Sequence, residues 1–147
     1  LARIAVTVDG TSASTAVLQR AVATARASGA SLIGVFVIDA GWADFIGSDW
    51  QSSRNARQGF LDYVHEEQRR HADAARAQFN AATQDLPDAR FSLLVGEPAE
   101  EVVRLMANGG ADMLFAGSGV FQACGRPSVK SLARILRRRV RQPLHFV

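Results

Sequence analysis

Two short polar segments, each following an apolar run, hold the residues best suited to chemistry in this 147-residue chain. Val6-Thr7-Val8 leads into Asp9-Gly10, and Phe115-Ala116 leads into Gly117-Ser118-Gly119. A carboxylate such as Asp9 accepts hydrogen bonds from a ribose or an amine. It serves equally well as a turn residue before Gly10 or as a cap on the next helix. Gly117-Ser118-Gly119 is small enough for backbone N–H groups to approach phosphate oxygens, although loop glycines more often only form turns. Lys130, followed by Ser131, falls in the first turn of a predicted helix, where a cation opposes the macrodipole by about a few tenths of a kcal/mol. A bound anion would remove that penalty, and a solvated lysine would simply bear it. Gly125 and Lys130-Ser131 do not make a P-loop, because Val129 stands where the glycine before the lysine belongs.

Other chemistries find little support. His65, His71 and His145 are scattered, and the six-residue step from His65 to His71 does not put them on one helix face, so no metal site is expected. Cys124 has no evident base and reads as an ordinary loop cysteine near Arg126. No nucleophile–base–acid set stands at a recognisable spacing, so no catalytic residue is assigned and an enzyme is not expected. Lys130, Arg134, Arg137, Arg138 and Arg141 lie near one helix face and read as a solvated basic stripe, the other reading being a footprint for an acidic partner. No aromatic residue interleaves with these charges, and the net charge is only +3, so nucleic-acid binding is not expected.

The elements that must position these residues alternate along the chain. Arg3–Val8 and Leu32–Ile38 read as buried strands, apolar on both faces as in a parallel sheet covered on each side. Phe91–Val95, Asp112–Ala116 and Pro143–Val147 are three further predicted strands. Thr11–Ser28 shows helical spacing at Ala13, Val17, Ala21 and Ala25, with Thr11 or Ser12 to start it and Gly29 to stop it. A long helix is predicted over Ser53–Thr83, with Phe60, Val64, Ala72, Ala75 and Phe79 near one face. Another follows Gly96-Glu97-Pro98 with acidic residues in its first turn, and a last one spans Ser128–Arg141. This β-α-β-α-β-α-β-α-β order predicts a doubly wound sheet with right-handed crossovers. Ligands in such sheets lie beyond the carboxyl ends of the strands where the strand order reverses, which is where Asp9 and Gly117 fall.

The loop 40–52 breaks the pattern. Trp42, Phe45, Ile46 and Trp50 form a lid over the cleft or a partner-binding patch, or else pack on the long helix through Phe60 or Tyr63. Hydrophobic residues make up 48% of the chain, enough for one core at this length, and no apolar run is long enough to span a membrane. No signal-peptide or acylation pattern is visible. A chain that opens on Leu1 is expected to be a segment of something longer. A single cysteine forms no internal disulfide, and a reducing compartment, the cytoplasm, is the expectation.

Five segments, in order, carry a family resemblance. They are Ile4-Ala5-Val6-Thr7-Val8-Asp9-Gly10, Gly34-Val35-Phe36-Val37-Ile38-Asp39, Gly96-Glu97-Pro98-Ala99-Glu100-Glu101-Val102, Ala111-Asp112-Met113-Leu114-Phe115-Ala116-Gly117-Ser118 and Pro143-Leu144-His145-Phe146-Val147. Together they resemble a universal stress protein domain over residues 1–147. The resemblance implies an adenine nucleotide alpha hydrolase-like fold, a five-stranded parallel sheet in the order 3-2-1-4-5 with helices on both faces. It also implies a homodimer through the last strand, Pro143–Val147.

Some members of that family bind ATP and others do not. Binders carry glycine-x-x-glycine after the fourth strand, then a spacer, then a glycine followed by serine or threonine. Carried onto this chain without gaps, these positions are Gly117, Val120, Lys130 and Ser131, followed by Leu132. By resemblance Asp9 meets the ribose side and the Val37 backbone meets the adenine. Valine and lysine do not give the close backbone approach that glycine does. Gly119 stands one residue from the missing second glycine, and Lys130 offers a side-chain charge where the third belongs.

The expectation is a stress-response regulatory domain acting by dimerisation and partner contact, including a protein partner at Trp42, Phe45 and Trp50. Its nucleotide site is weak or lost, and it requires no cofactor. The alternative is a sensor of ATP or another adenine nucleotide, with Asp9, Val37, Gly117, Ser118, Gly119, Lys130, Ser131 and Leu132 as contacts. A slow ATPase of the same fold is the third reading, with Asp9 or Ser118 near the water.

Overall fold

The computed structural model describes residues 2–48, 54–122, 125–126 and 132–147. Five strands form one parallel sheet: β1 (Arg3–Thr7), β2 (Ser31–Asp39), β3 (Arg90–Gly96), β4 (Met113–Ala116) and β5 (Leu144–Phe146), in the order β3-β2-β1-β4-β5. The helices are α1 (Thr15–Ser28), α2 (Trp42–Ile46), α3 (Arg54–Ala82), α4 (Pro98–Ala107) and α5 (Leu132–Arg139). The expected doubly wound architecture and strand order are therefore present.

Continuous apolar runs become the central strands because both of their faces are covered. Ile4, Ala5 and Val6 of β1 are fully buried, as are Val35 and Phe36 of β2. β1 pairs with β2 from Arg3↔Ser31 to Thr7↔Val35, and with β4 from Ile4↔Met113 to Val6↔Phe115. β3 lies at one edge and keeps Leu93 and Val95 exposed. α1 buries Val17, Leu18, Ala21, Val22 and Ala25, and ends on Gly29 at φ 73°. α4 opens on Pro98 with Glu100 and Glu101 in its first turn, as its sequence predicts.

Four elements differ from expectation. Ala13 is exposed, because Ser12–Ser14 form a 3-10 turn that takes these residues off the phase of α1. Asp112 precedes β4 rather than starting it. Its carboxylate accepts the backbone N–H groups of Ala2 and Arg3, both at 3.0 Å, and so fastens the start of β1. The Arg3 amide first, then that of Ala2, holds the Asp112 carboxyl below its ordinary range. The predicted loop 40–52 contains the single-turn helix α2, and residues 49–52 of it, Trp50 included, lie outside the described residues. The predicted Ser128–Arg141 helix is seen as Leu132–Arg139, its first four residues lying outside that set.

Candidate nucleotide cleft

The strand order reverses between β1 and β4, and Asp9 stands just beyond the end of β1. Its side chain is wholly buried. Oδ1 accepts the Thr11 amide at 2.9 Å and the Thr11 hydroxyl at 2.6 Å, and the Ser14 hydroxyl lies 3.1 Å away. Oδ2 accepts the backbone N–H of Phe121 at 2.9 Å. A carboxylate offers about four acceptor sites, so this one is nearly filled from within the chain. Asp9 thus ties the loop after β1 to the loop after β4, across the reversal point.

Gln78 of α3 completes the arrangement from outside. Its Nε2 donates to Thr11 O at 3.0 Å, and its Oε1 lies 2.6 Å from Ser14 Oγ and accepts the Gly10 amide at 3.2 Å. Gly10 has φ 79°, and a Cβ there would stand 2.7 Å from both Ala74 Cβ and the Ala75 backbone nitrogen. Only glycine lets α3 lie this close to the turn. Thr11, the predicted cap, accepts the Ala13 amide at 3.2 Å.

The loop after β4 turns inward. Val120 N donates to Gly117 O at 3.2 Å, and Ser118 N donates to Val147 O at 3.3 Å. The Ser118, Val120 and Phe121 amides are thus all engaged inside the protein. A Cβ at Gly117 would lie 2.6 Å from Val120 Cγ2, so the space beside that glycine holds the valine side chain. A Cβ at Gly119 would meet the Ala13 Cβ at 3.4 Å, an ordinary contact. Val120 and Phe121 are each 1% exposed. Phe121 takes φ 72°, and its ring meets Phe36 edge-on with centroids 5.6 Å apart. A left-handed conformation costs a bulky residue roughly 1–2 kcal/mol. Burying a phenylalanine gains roughly 1.5–3 kcal/mol, which with the Asp9 bond outweighs that cost.

β2 continues past its last pairing with β1 to Asp39, which puts Val37 at the cleft margin, 2% exposed. Leu132 is buried at the start of the described part of α5. The structure therefore brings Asp9, Gly117, Ser118 and Gly119 together around one turn, with Val37 on the neighbouring strand. Lys130 and Ser131 lie outside the described residues, as does Cys124.

A second polar junction closes the same edge of the sheet. Arg126 Nε donates to Asp39 Oδ2 at 2.7 Å, and its Nη2 donates to Glu97. Asp39 Oδ1 accepts the Gly41 amide at 2.9 Å. Gln68 of α3, itself buried, accepts the Asp39 amide through Oε1 at 2.6 Å and donates Nε2 to the Asp39 carbonyl at 2.9 Å. Burial alone would lower the Arg126 pKa, but the bonds to Asp39 and Glu97 prevail and raise it. The sequence does carry one sign of this junction: Gln68 interrupts the buried stripe of Val64, Ala72, Ala75 and Phe79. The partnership of Arg126 with Asp39, 87 residues apart, leaves no local trace.

The remaining candidates settle simply. Trp42 packs on Phe60 of α3, centroids 6.1 Å apart, and on Phe45 at 5.7 Å. Arg57 donates to the Gly47 and Ala43 carbonyls, so α2 is stapled to α3. Of the basic stripe, Arg137 lies over the Phe146 ring at 4.5 Å. Among the described residues no group of His, Cys, Asp and Glu could hold a metal, and no helix is long and apolar enough to cross a membrane.

A five-stranded parallel sheet in the order 3-2-1-4-5, with its cleft between the first and fourth strands, defines an adenine nucleotide alpha hydrolase-like fold. The family model described as "Universal stress protein family" matches residues 1–147, and the chain belongs to that family. Among solved structures, a universal stress protein in complex with cAMP is 25% identical, with a TM-score of 0.63, over 99% of this chain and 96% of that one. UspA from Lactobacillus plantarum is 19% identical with a TM-score of 0.71, over 99% and 97%. A universal stress protein from Archaeoglobus fulgidus in complex with dAMP is 18% identical with a TM-score of 0.65, over 99% and 97%. A search of curated proteins found no match.

Proposed function

We propose that this chain is a regulatory stress-response domain that works through dimerisation and partner contact, without catalysis, and whose nucleotide site is weak or lost. The observation that carries this reading is the bond from the Phe121 amide to Asp9 Oδ2. It occupies the carboxylate that the family resemblance assigns to the ribose side. The Ser118 and Val120 amides, which a phosphate would need, are likewise turned to carbonyls of the chain. The homodimer is proposed through Pro143–Val147, because β5 is an edge of the sheet with its outer side unpaired among the described residues. The partner surface centres on half-exposed Phe45, with Trp42 beneath it and Trp50 assigned from sequence. The proposed compartment is the cytoplasm.

A second reading is supported by the cAMP complex of the 25% identical relative. In it the cleft takes ATP or another adenine nucleotide, held by Asp9, Val37, Gly117, Ser118, Gly119, Lys130, Ser131 and Leu132. Thermal unfolding with and without millimolar ATP separates the two. Ligand at 100 times its Kd adds about 2.7 kcal/mol of stability, a readily visible shift. The first reading expects an unchanged melting temperature, and a shift supports the second. In that case Lys130→Ala should weaken the shift.

A further inference from the structure

β3 is the outer strand on one side of the sheet. Natural edge strands usually carry a lysine, a proline or a bulge that stops another strand from pairing with them. Phe91-Ser92-Leu93-Leu94-Val95 has no charge and no proline, and β3 pairs with β2 without a break from Arg90 to Gly96. Bonding to β2 fixes which backbone groups point outward. Gly96 O accepts the Ala40 amide, so Gly96, Leu94 and Ser92 turn their N–H and C=O groups toward β2. Phe91, Leu93 and Val95 therefore present theirs to the open edge. The same three side chains share the face that carries α3, where the Phe91 ring lies 6.0 Å from that of Phe79. Arg76 lies over the Phe91 ring at 4.9 Å, and beyond it Leu93 and Val95 are left 40% and 61% exposed. Unpaired backbone groups and uncovered apolar side chains thus fall on the same residues.

We propose that the β3 edge joins a second copy of this chain, strand against antiparallel strand, about a two-fold axis at Leu93. Centred there, the outward residues of the two copies pair completely: Leu93 with Leu93, and Val95 with Phe91 in both directions. Residues paired in this way exchange both backbone bonds, so the junction holds about six, and a centre on any neighbouring residue uses fewer. An axis normal to the sheet keeps the faces matched, so the exposed Leu93 and Val95 side chains gain cover on the α3 side. Charge favours the same arrangement. Arg90 falls opposite Gly96, and Glu97 opposite Ala89, so no like charges meet. A parallel, in-register pairing would set Arg90 against Arg90 and Glu97 against Glu97. The strand is its own complement, which selects a second copy over an unrelated strand. This surface is separate from the β5 edge, which lies on the opposite side of the sheet. Copies joined at both edges form an assembly larger than a dimer.

Disulfide trapping of the full chain in a Cys124→Ser background tests the pairing and its register. Leu93→Cys brings two sulfurs together across the axis, where paired Cα atoms stand about 5.5 Å apart, within disulfide reach. Val95→Cys is the control, because its counterpart lies four residues along the strand, roughly 13 Å away and out of reach. Leu93→Cys should therefore crosslink at least roughly tenfold faster than Val95→Cys under mild oxidation. Random collision would favour Val95→Cys, the more exposed site. Copies joined through β5 hold their Leu93 residues at the two far ends of the combined sheet, so the crosslink reports on β3 whether or not the β5 dimer forms. Leu93→Lys, an exposed change that spares the fold, sets two like charges face to face. It should weaken self-association, read by sedimentation across a range of concentrations, at least roughly tenfold. Val95→Cys crosslinking as fast as Leu93→Cys overturns the proposal, and so does sedimentation that Leu93→Lys leaves unchanged.

Discussion

The backbone N–H of Phe121 donates to Oδ2 of Asp9 at 2.9 Å, across 112 residues of sequence and across the point where the sheet reverses its order. One bond therefore joins the turn after β1 to the turn after β4. Asp9→Asn keeps the shape but turns an amide N–H2 or a single oxygen toward several donors. Leaving buried donors unsatisfied costs about 1–3 kcal/mol each, so a loss of roughly 2–4 kcal/mol is expected. The midpoint of urea unfolding measures it, and an unchanged midpoint would contradict the network.

Phe121 holds φ 72° with its ring buried. Phe121→Ala loses the ring and keeps the strained backbone, at a cost of about 3–5 kcal/mol. Phe121→Gly loses the ring as well but relieves the strain. Glycine ordinarily costs stability relative to alanine, yet at this position the glycine variant should be the more stable by about 0.5–1 kcal/mol. Paired chemical denaturation of the two variants decides it, and alanine ahead of glycine would argue against the left-handed conformation.

Arg126 faces a buried Asp39 and the half-exposed Glu97. Removing one member of a buried pair strands the other, so Arg126→Ala should cost about 3–5 kcal/mol. Adding Asp39→Asn should return part of that loss. A double-mutant cycle measures the coupling, expected at roughly 1–3 kcal/mol. Strict additivity would mean that the ion pair does not hold the loop.

Acid stability should depend on Asp112. The Arg3 and Ala2 amides lower its folded-state pKa below the ordinary 3.8. A group with a depressed folded pKa stabilises the fold fully above its unfolded value, and that contribution disappears as pH falls through the folded value. Asp112→Asn should therefore flatten the loss of stability below pH 3.8. Melting temperatures of both proteins across that range give the comparison, and parallel curves would count against the assignment.

Local pattern carried most of the frame. β1, β2 and β4 show as unbroken apolar runs because both of their faces are covered, and Pro98 with its acidic neighbours marks the start of α4. What the pattern missed depends on distant partners. The five-residue α2 is too short to hold by propensity and stands on its packing against Phe60 and Arg57. Within the cleft, Asp9 and Gly117 were legible from the polar ends of their strands. The left-handed Phe121 was not, since a bulky residue takes that conformation only where tertiary contacts outweigh its preference. Gln78 gives no local signal, because a half-exposed helix glutamine has the pattern of any surface residue and its partners lie more than 60 residues away.

The polar groups of the cleft, Asp9 and the Ser118, Val120 and Phe121 amides, are already paired within the chain. Direct calorimetric titration of the purified protein with ATP tests this most simply. No saturable binding at millimolar nucleotide is expected if that pairing closes the site. Saturable, stoichiometric binding in the micromolar range, abolished by Asp9→Ala, would contradict it.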